Sequence, residues 1–159
     1  MKKNIAFISI LGSLLSGVAF ADSGPFVGAG YIYSSYKDTE SRIKGNDSGY
    51  NIYAGYDFNK FIAIDAGYSN FFNTSKENQK FKADAWLAST KVTLPILFLD
   101  VYGRAGYGSF STNFGSKSDF YYGAGIGLNI GPVRAGLEYT MYDVKVLRDT
   151  VGLNVEIHF

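Results

Sequence analysis

From Pro25 onward, apolar and polar residues alternate with a period of two, the spacing of a strand covered on one face. At the end of the chain, Val151, Leu153, Val155, Ile157 and Phe159 share one face, and Gly152, Asn154, Glu156 and His158 share the other. Further upstream, Val133, Ala135, Leu137, Tyr139 and Met141 oppose Arg134, Gly136, Glu138, Thr140 and Tyr142. Eight such segments are predicted, starting near Phe26, Gly49, Phe61, Lys82, Leu97, Phe120, Pro132 and Thr150. Each is about ten residues, the length of a tilted strand crossing a hydrocarbon layer. Their connections alternate in character. Asn59-Lys60, Pro95-Ile96 and Gly131-Pro132 read as tight turns, and the polar stretches 37–48, 73–80, 111–118 and 143–149 read as longer loops. This pattern predicts an all-β fold, an eight-stranded antiparallel up-and-down barrel with both termini on the short-turn side.

A soluble barrel also alternates, but with its apolar face inward. Here the non-apolar face suits a narrow, crowded interior. It carries Gly28, Gly30, Gly55, Gly67, Gly106, Gly123, Gly125 and Gly127 among Asn51, Asp65, Ser89, Lys91, Arg104, Asn129 and Glu138. Glycine weakens a solvent-facing strand, but it leaves room for a side chain such as Tyr53, Tyr102 or Arg104 from another strand. The apolar face fits lipid. Its middle is aliphatic or small (Ala29, Ile52, Ala54, Ile64, Ala66, Ala88, Val101, Ala105, Ile126, Leu137). Tyr33, Tyr50, Tyr68, Trp86, Tyr107, Tyr122 and Tyr139 fall toward the loops, and Phe58, Phe61 and Phe159 toward the turns. Two aromatic bands around an aliphatic zone mark membrane interfaces. No Arg or Lys stands at a mid-strand position of that face, where one would cost about 2–4 kcal/mol. A transmembrane barrel with short periplasmic turns and longer extracellular loops is therefore expected. A soluble periplasmic barrel that binds small ligands as lipocalins do is the opposing expectation.

The N-terminus explains how such a chain would reach that membrane. Lys2 and Lys3 precede a nearly unbroken apolar run from Ile5 to Leu15, and Ala19-Phe20-Ala21 supplies a small-x-small cleavage pattern. Residues 1–21 read as a signal peptide cut after Ala21, and residues 22–159 as the barrel domain. Removing Lys2 and Lys3 from the 15 basic side chains leaves 13 against 14 acidic ones, a balance that offers nucleic acid nothing. With no cysteine, thiolate chemistry and disulfides are excluded.

Several segments resemble a known family. Ala54-Gly55-Tyr56-Asp57-Phe58-Asn59-Lys60-Phe61, running on to Asp65-Ala66-Gly67-Tyr68, resembles the second hairpin of the outer-membrane protein A transmembrane domain. Lys91 to Gly106, through Pro95 and Val101-Tyr102-Gly103-Arg104, resembles its fourth and fifth strands. The closing Asn154-Val155-Glu156-Ile157-His158-Phe159 resembles the terminal signal read by the barrel-assembly machinery, carried by Val155, Ile157 and Phe159. The chain is similar also to the opacity-type small surface barrels. The resemblance implies a lumen blocked by salt bridges, with Asp65, Lys91, Arg104 and Glu138 at the family's charged positions. Two positions depart from it: the sixth-strand glutamate and the seventh-strand arginine fall on Gly127 and Gly136. Asp65 is expected to pair with Lys91, and Arg104 with Glu138, since a buried ion is tolerable only when paired.

Catalysis finds little support. Small membrane barrels that act as enzymes need a nucleophile beside a His or carboxylate base. The one histidine, His158, faces inward next to the C-terminus with no serine motif on its strand. Asp38, Glu40 and Asp47 interleave with Lys37, Arg42 and Lys44, as in a solvated loop. No cofactor or metal is expected. The loop aromatics and cations (Phe71, Phe72, Phe81, Phe114, Lys76, Lys80, Lys117, Lys145) form the candidate recognition surface. The expected function, by analogy with the family, is a non-enzymatic outer-membrane surface protein serving envelope structure and, through its extracellular loops, adhesion or immune evasion, with a small low-conductance pore gated by lumen salt bridges as the alternative. Expected partners are outer-membrane lipid and lipopolysaccharide, the barrel-assembly machinery and a host surface factor. A monomer is expected, because a closed barrel has no free edge.

Overall fold

The computed structural model describes residues 23–37, 44–76, 79–112, 115–144 and 147–159. The alternating segments form eight strands: β1 (Gly24–Lys37), β2 (Lys44–Asn59), β3 (Ile62–Lys76), β4 (Gln79–Ile96), β5 (Leu99–Thr112), β6 (Gly115–Ile130), β7 (Val133–Val144) and β8 (Leu147–His158). Each pairs antiparallel with the next, and β1 closes on β8 from Phe26↔His158 to Ser35↔Asp149. Closure pairs every strand on both sides and leaves no edge.

The period of two sorts the side chains into opposite environments. Ile52, Ile64, Val101, Ile126, Leu137 and Leu153 are exposed on the outside, whereas Asp65, Lys91, Asp100, Arg104, Arg134, Glu138 and Glu156 are buried inside. This is the inverse of a soluble barrel, so the lipocalin-like alternative is set aside. An aromatic belt rings the loop end. Tyr31 stands opposite Tyr50, Tyr68 meets Trp86 edge-on at 5.5 Å, and Tyr107 meets Phe120 at 5.0 Å. At the turn end Phe58 and Phe61 are exposed, and Tyr56 lies 5.6 Å from Phe58.

The strands run further than their apolar stretches. β2 begins at Lys44, β3 ends at Lys76 and β4 begins at Gln79, so much of the polar sequence expected as loop continues the hydrogen-bonded ladder above the belt. One expected loop residue moves indoors. A register shift between Asn70 and Phe72 turns Phe71 into the lumen, where it is completely buried. The second tight turn also shifts. Pro95 and Ile96 end β4, with Ile96 paired to Leu99, so the tip is Leu97-Phe98. The turn at Lys60-Phe61 is held by Asn59, whose Oδ1 accepts from the backbone N–H of Phe61 (2.8 Å) and of Ile62 (3.0 Å). Ala19, Ala21, Asp38, Glu40, Arg42, Phe114 and Lys145 lie outside the described residues, as do the side chains of Lys37, Lys44, Phe72, Lys76, Lys80 and Phe81.

Candidate functional site

An eight-stranded barrel has an interior just wide enough for side chains to fill, and three tiers fill this one. The tier nearest the turns centres on Glu156 of β8. Lys91 Nζ of β4 donates to both of its oxygens at 3.1 and 3.0 Å, and Tyr53 Oη of β2 donates at 3.0 Å. Arg134 Nη1 of β7 lies 3.4 Å from Oε2, and His158 Nε2 lies 3.2 Å from it. The other His158 nitrogen, Nδ1, is 2.8 Å from Asp57 Oδ2. Arg134 also reaches Asp100 at 3.3 Å, and Asp100 accepts from Asn129 Nδ2 at 2.7 Å. Aromatic faces complete the cage. Lys91 Nζ sits 4.5 Å above the Phe26 ring, Arg134 sits 4.6 Å above Tyr102, and His158 stacks on Phe26 at 5.2 Å.

The middle tier is built on Arg104 of β5. Its Nη2 stands 3.5 Å from Glu138 Oε2 and 3.7 Å from Asp65 Oδ2, so both contacts are charge pairs too long for good hydrogen bonds. The other oxygen of each carboxylate is satisfied, by Ser89 Oγ on Asp65 (2.8 Å) and by Thr140 Oγ1 on Glu138 (3.0 Å). Arg104 Nε and Nη2, Asp65 Oδ2 and Glu138 Oε2 have no hydrogen-bond partner. Beside them is a cavity of about 30 Å³ lined by Asn51, Ser69, Arg104, Glu138 and Asn154 among others. The third tier, toward the loops, is apolar: Ile32, Phe71, Ala85, Phe110, Tyr121 and Tyr142 pack as one buried cluster. Phe71 and Tyr142 meet edge-on at 5.3 Å.

Glycine makes this filling possible. A Cβ at Gly28 would collide with the Tyr53 ring, one at Gly125 with the Tyr102 hydroxyl at 2.6 Å, and one at Gly106 with Tyr121 at 2.7 Å.

The four charged positions expected from the sequence all lie in this lumen, and Arg104 does pair with Glu138. Asp65 and Lys91 do not pair. Asp65 stands opposite Ser89 and Lys91 opposite Ala63, so the two are offset along the β3–β4 ladder. Lys91 extends to Glu156 and Asp65 turns to Arg104. The sequence reading left out Asp57, Asp100, Arg134 and Glu156 as lumen ion-pair residues. Parity alone would have found them, since Asp100 shares a face with Arg104, and Arg134 with Glu138. The two departures from the family pattern gain a physical reason. A Cβ at Gly127 would stand 2.5 Å from Arg134 Nε, so the arginine missing at Gly136 is supplied two residues earlier and occupies the missing glutamate's space. Val155 and Ile157 face outward on β8, whose partner β1 closes the barrel.

The fold and the filled lumen define a small membrane β-barrel with a side-chain plug. The chain belongs to the outer membrane protein beta-barrel domain family, whose model matches residues 7–159. Its place is therefore the bacterial outer membrane, with the tight turns periplasmic and the opposite end outside. No curated protein matches the chain in sequence. Its fold is similar to that of Ail, the attachment invasion locus protein of Yersinia pestis (21% identity, 88% of this chain and 100% of that one, TM-score 0.63), a protein also crystallised with the heparin analogue sucrose octasulfate. It is similar as well to Neisserial surface protein A (17%, 86% and 99%, 0.64) and to the N-terminal barrel domain of Pseudomonas aeruginosa OprF (16%, 87% and 98%, 0.53). At these identities the likeness establishes the fold.

Proposed function

We propose that this protein is a non-enzymatic surface protein that uses its barrel as a rigid, plugged platform and its outer strand ends and loops to bind a host surface factor. The observation that carries this reading is the filling of the lumen along its length, by ion pairs, then Arg104 and its carboxylates, then packed aromatics. A plugged barrel leaves its outward face to lipid and its outer end to recognition. The segments of that end carry Lys37, Arg42, Lys44, Lys76, Lys80, Lys117 and Lys145 interleaved with acids such as Asp38, Glu40, Asp47 and Asp119, so an anionic ligand would be held by individual cations and not by a net positive field. The sulfated analogue bound by Ail makes sulfated host polysaccharide the first ligand to try. Rim cations also suit lipopolysaccharide phosphates.

The same reading includes export by residues 1–21, with cleavage after Ala21, assembly through Val155, Ile157 and Phe159, and a monomeric barrel. The experiment is binding of immobilised heparin and of host cells by bacteria displaying the protein, with residues 38–43 replaced by a Gly/Ser linker as the comparison. Reduced binding by the replaced form is expected, and unchanged binding removes recognition from that loop.

A gated pore is the second reading, and the middle tier favours it. Long charge contacts beside a cavity of about 30 Å³ are where a plug would part. Planar-bilayer recording separates the two readings: a plugged platform gives no steady current, and brief small openings would support the pore.

A further inference from the structure

The three periplasmic turns solve the same geometric problem with different residues. Two of them, Leu97-Phe98 and Gly131-Pro132, are two-residue turns between paired residues, Ile96↔Leu99 and Ile130↔Val133. In both the first turn residue has a positive φ, 61° at Gly131 and 59° at Leu97. That conformation belongs to glycine at the first position of such hairpin turns, and a bulky side chain in it is strained. Gly131-Pro132 is the pair this turn demands. Among the described residues Leu97 is the one non-glycine residue with a positive φ.

The strained leucine is also among the most exposed apolar side chains of the barrel, at 92%, and Phe98 beside it is 60% exposed. Leu94-Pro95-Ile96-Leu97-Phe98-Leu99 carries no polar side chain, whereas the β2–β3 turn offers Asn59 and Lys60. A turn bathed in periplasmic water gains nothing from leucine in a glycine conformation followed by phenylalanine. A turn immersed in hydrocarbon does. The stretch is continuous with the lipid-facing band: Leu94, Ile96, Leu99 and Val101 are all exposed on the outer face. At the β2–β3 turn the exposed Phe58 and Phe61 also extend the band, but Asn59 and Lys60 interrupt it, whereas at the β4–β5 hairpin it runs from Leu94 through the tip to Leu99 without a polar side chain.

We propose that the Leu97-Phe98 tip is a membrane anchor that inserts among the phospholipid acyl chains of the periplasmic leaflet, so that the barrel sits deeper on its β4–β5 side than on its β2–β3 side. The Lys60 turn stays at headgroup level, its ammonium 5.4 Å from the Phe61 ring.

The test places a single indole at each tip. In a Trp86→Phe background, Phe98→Trp and Lys60→Trp are folded into phosphatidylethanolamine–phosphatidylglycerol vesicles, with folding checked by heat-modifiable gel migration. The lipid carries bromine near the headgroup end or near the methyl end of one acyl chain. The indole at position 98 should be quenched by the acyl-chain bromines and be severalfold less accessible to aqueous acrylamide than the indole at position 60. Equal accessibility of the two positions overturns the proposal. So does an indole at 98 that is open to acrylamide in vesicles but shielded in native outer membranes, because a periplasmic protein would then be its partner. Leu97→Asn provides a second reading that does not risk the fold, since asparagine tolerates the left-handed conformation. In the Phe98→Trp background it should raise acrylamide access at position 98 while leaving the folded fraction unchanged. No change in access would count against immersion.

Discussion

Two tiers of the same lumen hold buried charge in different ways. Around Glu156, acceptors and donors meet at hydrogen-bond distance, and Lys91, Tyr53 and His158 all stand within 3.2 Å of one carboxylate. Around Arg104 the contacts lengthen to 3.5 and 3.7 Å and one oxygen of each carboxylate, Asp65 Oδ2 and Glu138 Oε2, lacks a hydrogen-bond partner, whereas unpartnered guanidinium donors occur in both tiers, on Arg104 and on Arg134. Taking an ion out of water costs several kcal/mol, which is recovered only when geometry and hydrogen bonds are both good. The carboxylates of the periplasmic tier come closer to that condition than those of the middle tier do. The plug is therefore rigid near the periplasm and loosest beside its cavity, under an aromatic cap that needs no charge at all.

The largest effect should come from the hub. Glu156→Gln removes the counter-ion of Lys91, which is fully buried and whose ion pair is with Glu156 alone among the described residues. It also leaves Arg134 and His158 facing a neutral amide. A loss of about 3–5 kcal/mol is expected, as for other buried pairs broken on one side. Urea unfolding in lipid vesicles, followed by gel migration, measures it. A smaller effect should follow from filling the space that glycine leaves. Gly125→Ala sets a methyl 2.6 Å from Tyr102 Oη and against the Leu137 carbonyl, so the ring under Arg134 must move, at about 1–3 kcal/mol. Gly136→Ala, whose added carbon meets Tyr102 Oη only at 3.3 Å, should cost less. Reversal of that order would mean that Tyr102 is mobile and that the periplasmic tier is not the rigid one.

Much of this arrangement was legible in the sequence, because a barrel's two faces are written in alternate letters. The inward set Asp65, Lys91, Arg104 and Glu138, the outward aliphatics and the aromatic belt follow from parity alone. Parity says nothing about where a long side chain ends. Lys91 has reach enough to pass its neighbour Asp65 and join Glu156 across the barrel, a contact set by strand stagger and not by adjacency. Phe71 was lost for a different reason. A one-residue bulge flips a side chain to the other face, and no residue in Ser69-Asn70-Phe71-Phe72 marks the bulge in advance. The turn at Leu97-Phe98 was misplaced by two residues because its chemistry is wrong for the turn it makes. Pro95 reads as the turn residue, yet Leu97 adopts the glycine conformation. Sequence rules failed there because a residue chosen for its apolar surface overrode the backbone's preference.

The smallest expected effect tests the comparison most sharply. Asp65→Asn keeps the hydrogen bond from Ser89, since an amide oxygen accepts it as well as the carboxylate did at 2.8 Å. What is lost is a 3.7 Å charge contact, while Arg104 retains Glu138 at 3.5 Å. The cost should therefore stay near a single ordinary hydrogen bond, about 1 kcal/mol or less. Adding Glu138→Gln changes the situation, because Arg104 then loses both of the carboxylates it pairs with among the described residues. The double variant should lose clearly more than the sum of the two single ones, as residues sharing one partner do. Strict additivity would show that water already screens Arg104 from both acids, and that the middle tier is a hydrated chamber instead of a strained plug. If Asp65→Asn alone cost as much as Glu156→Gln, distance would not distinguish the tiers, and the plug would have to be treated as one continuous network.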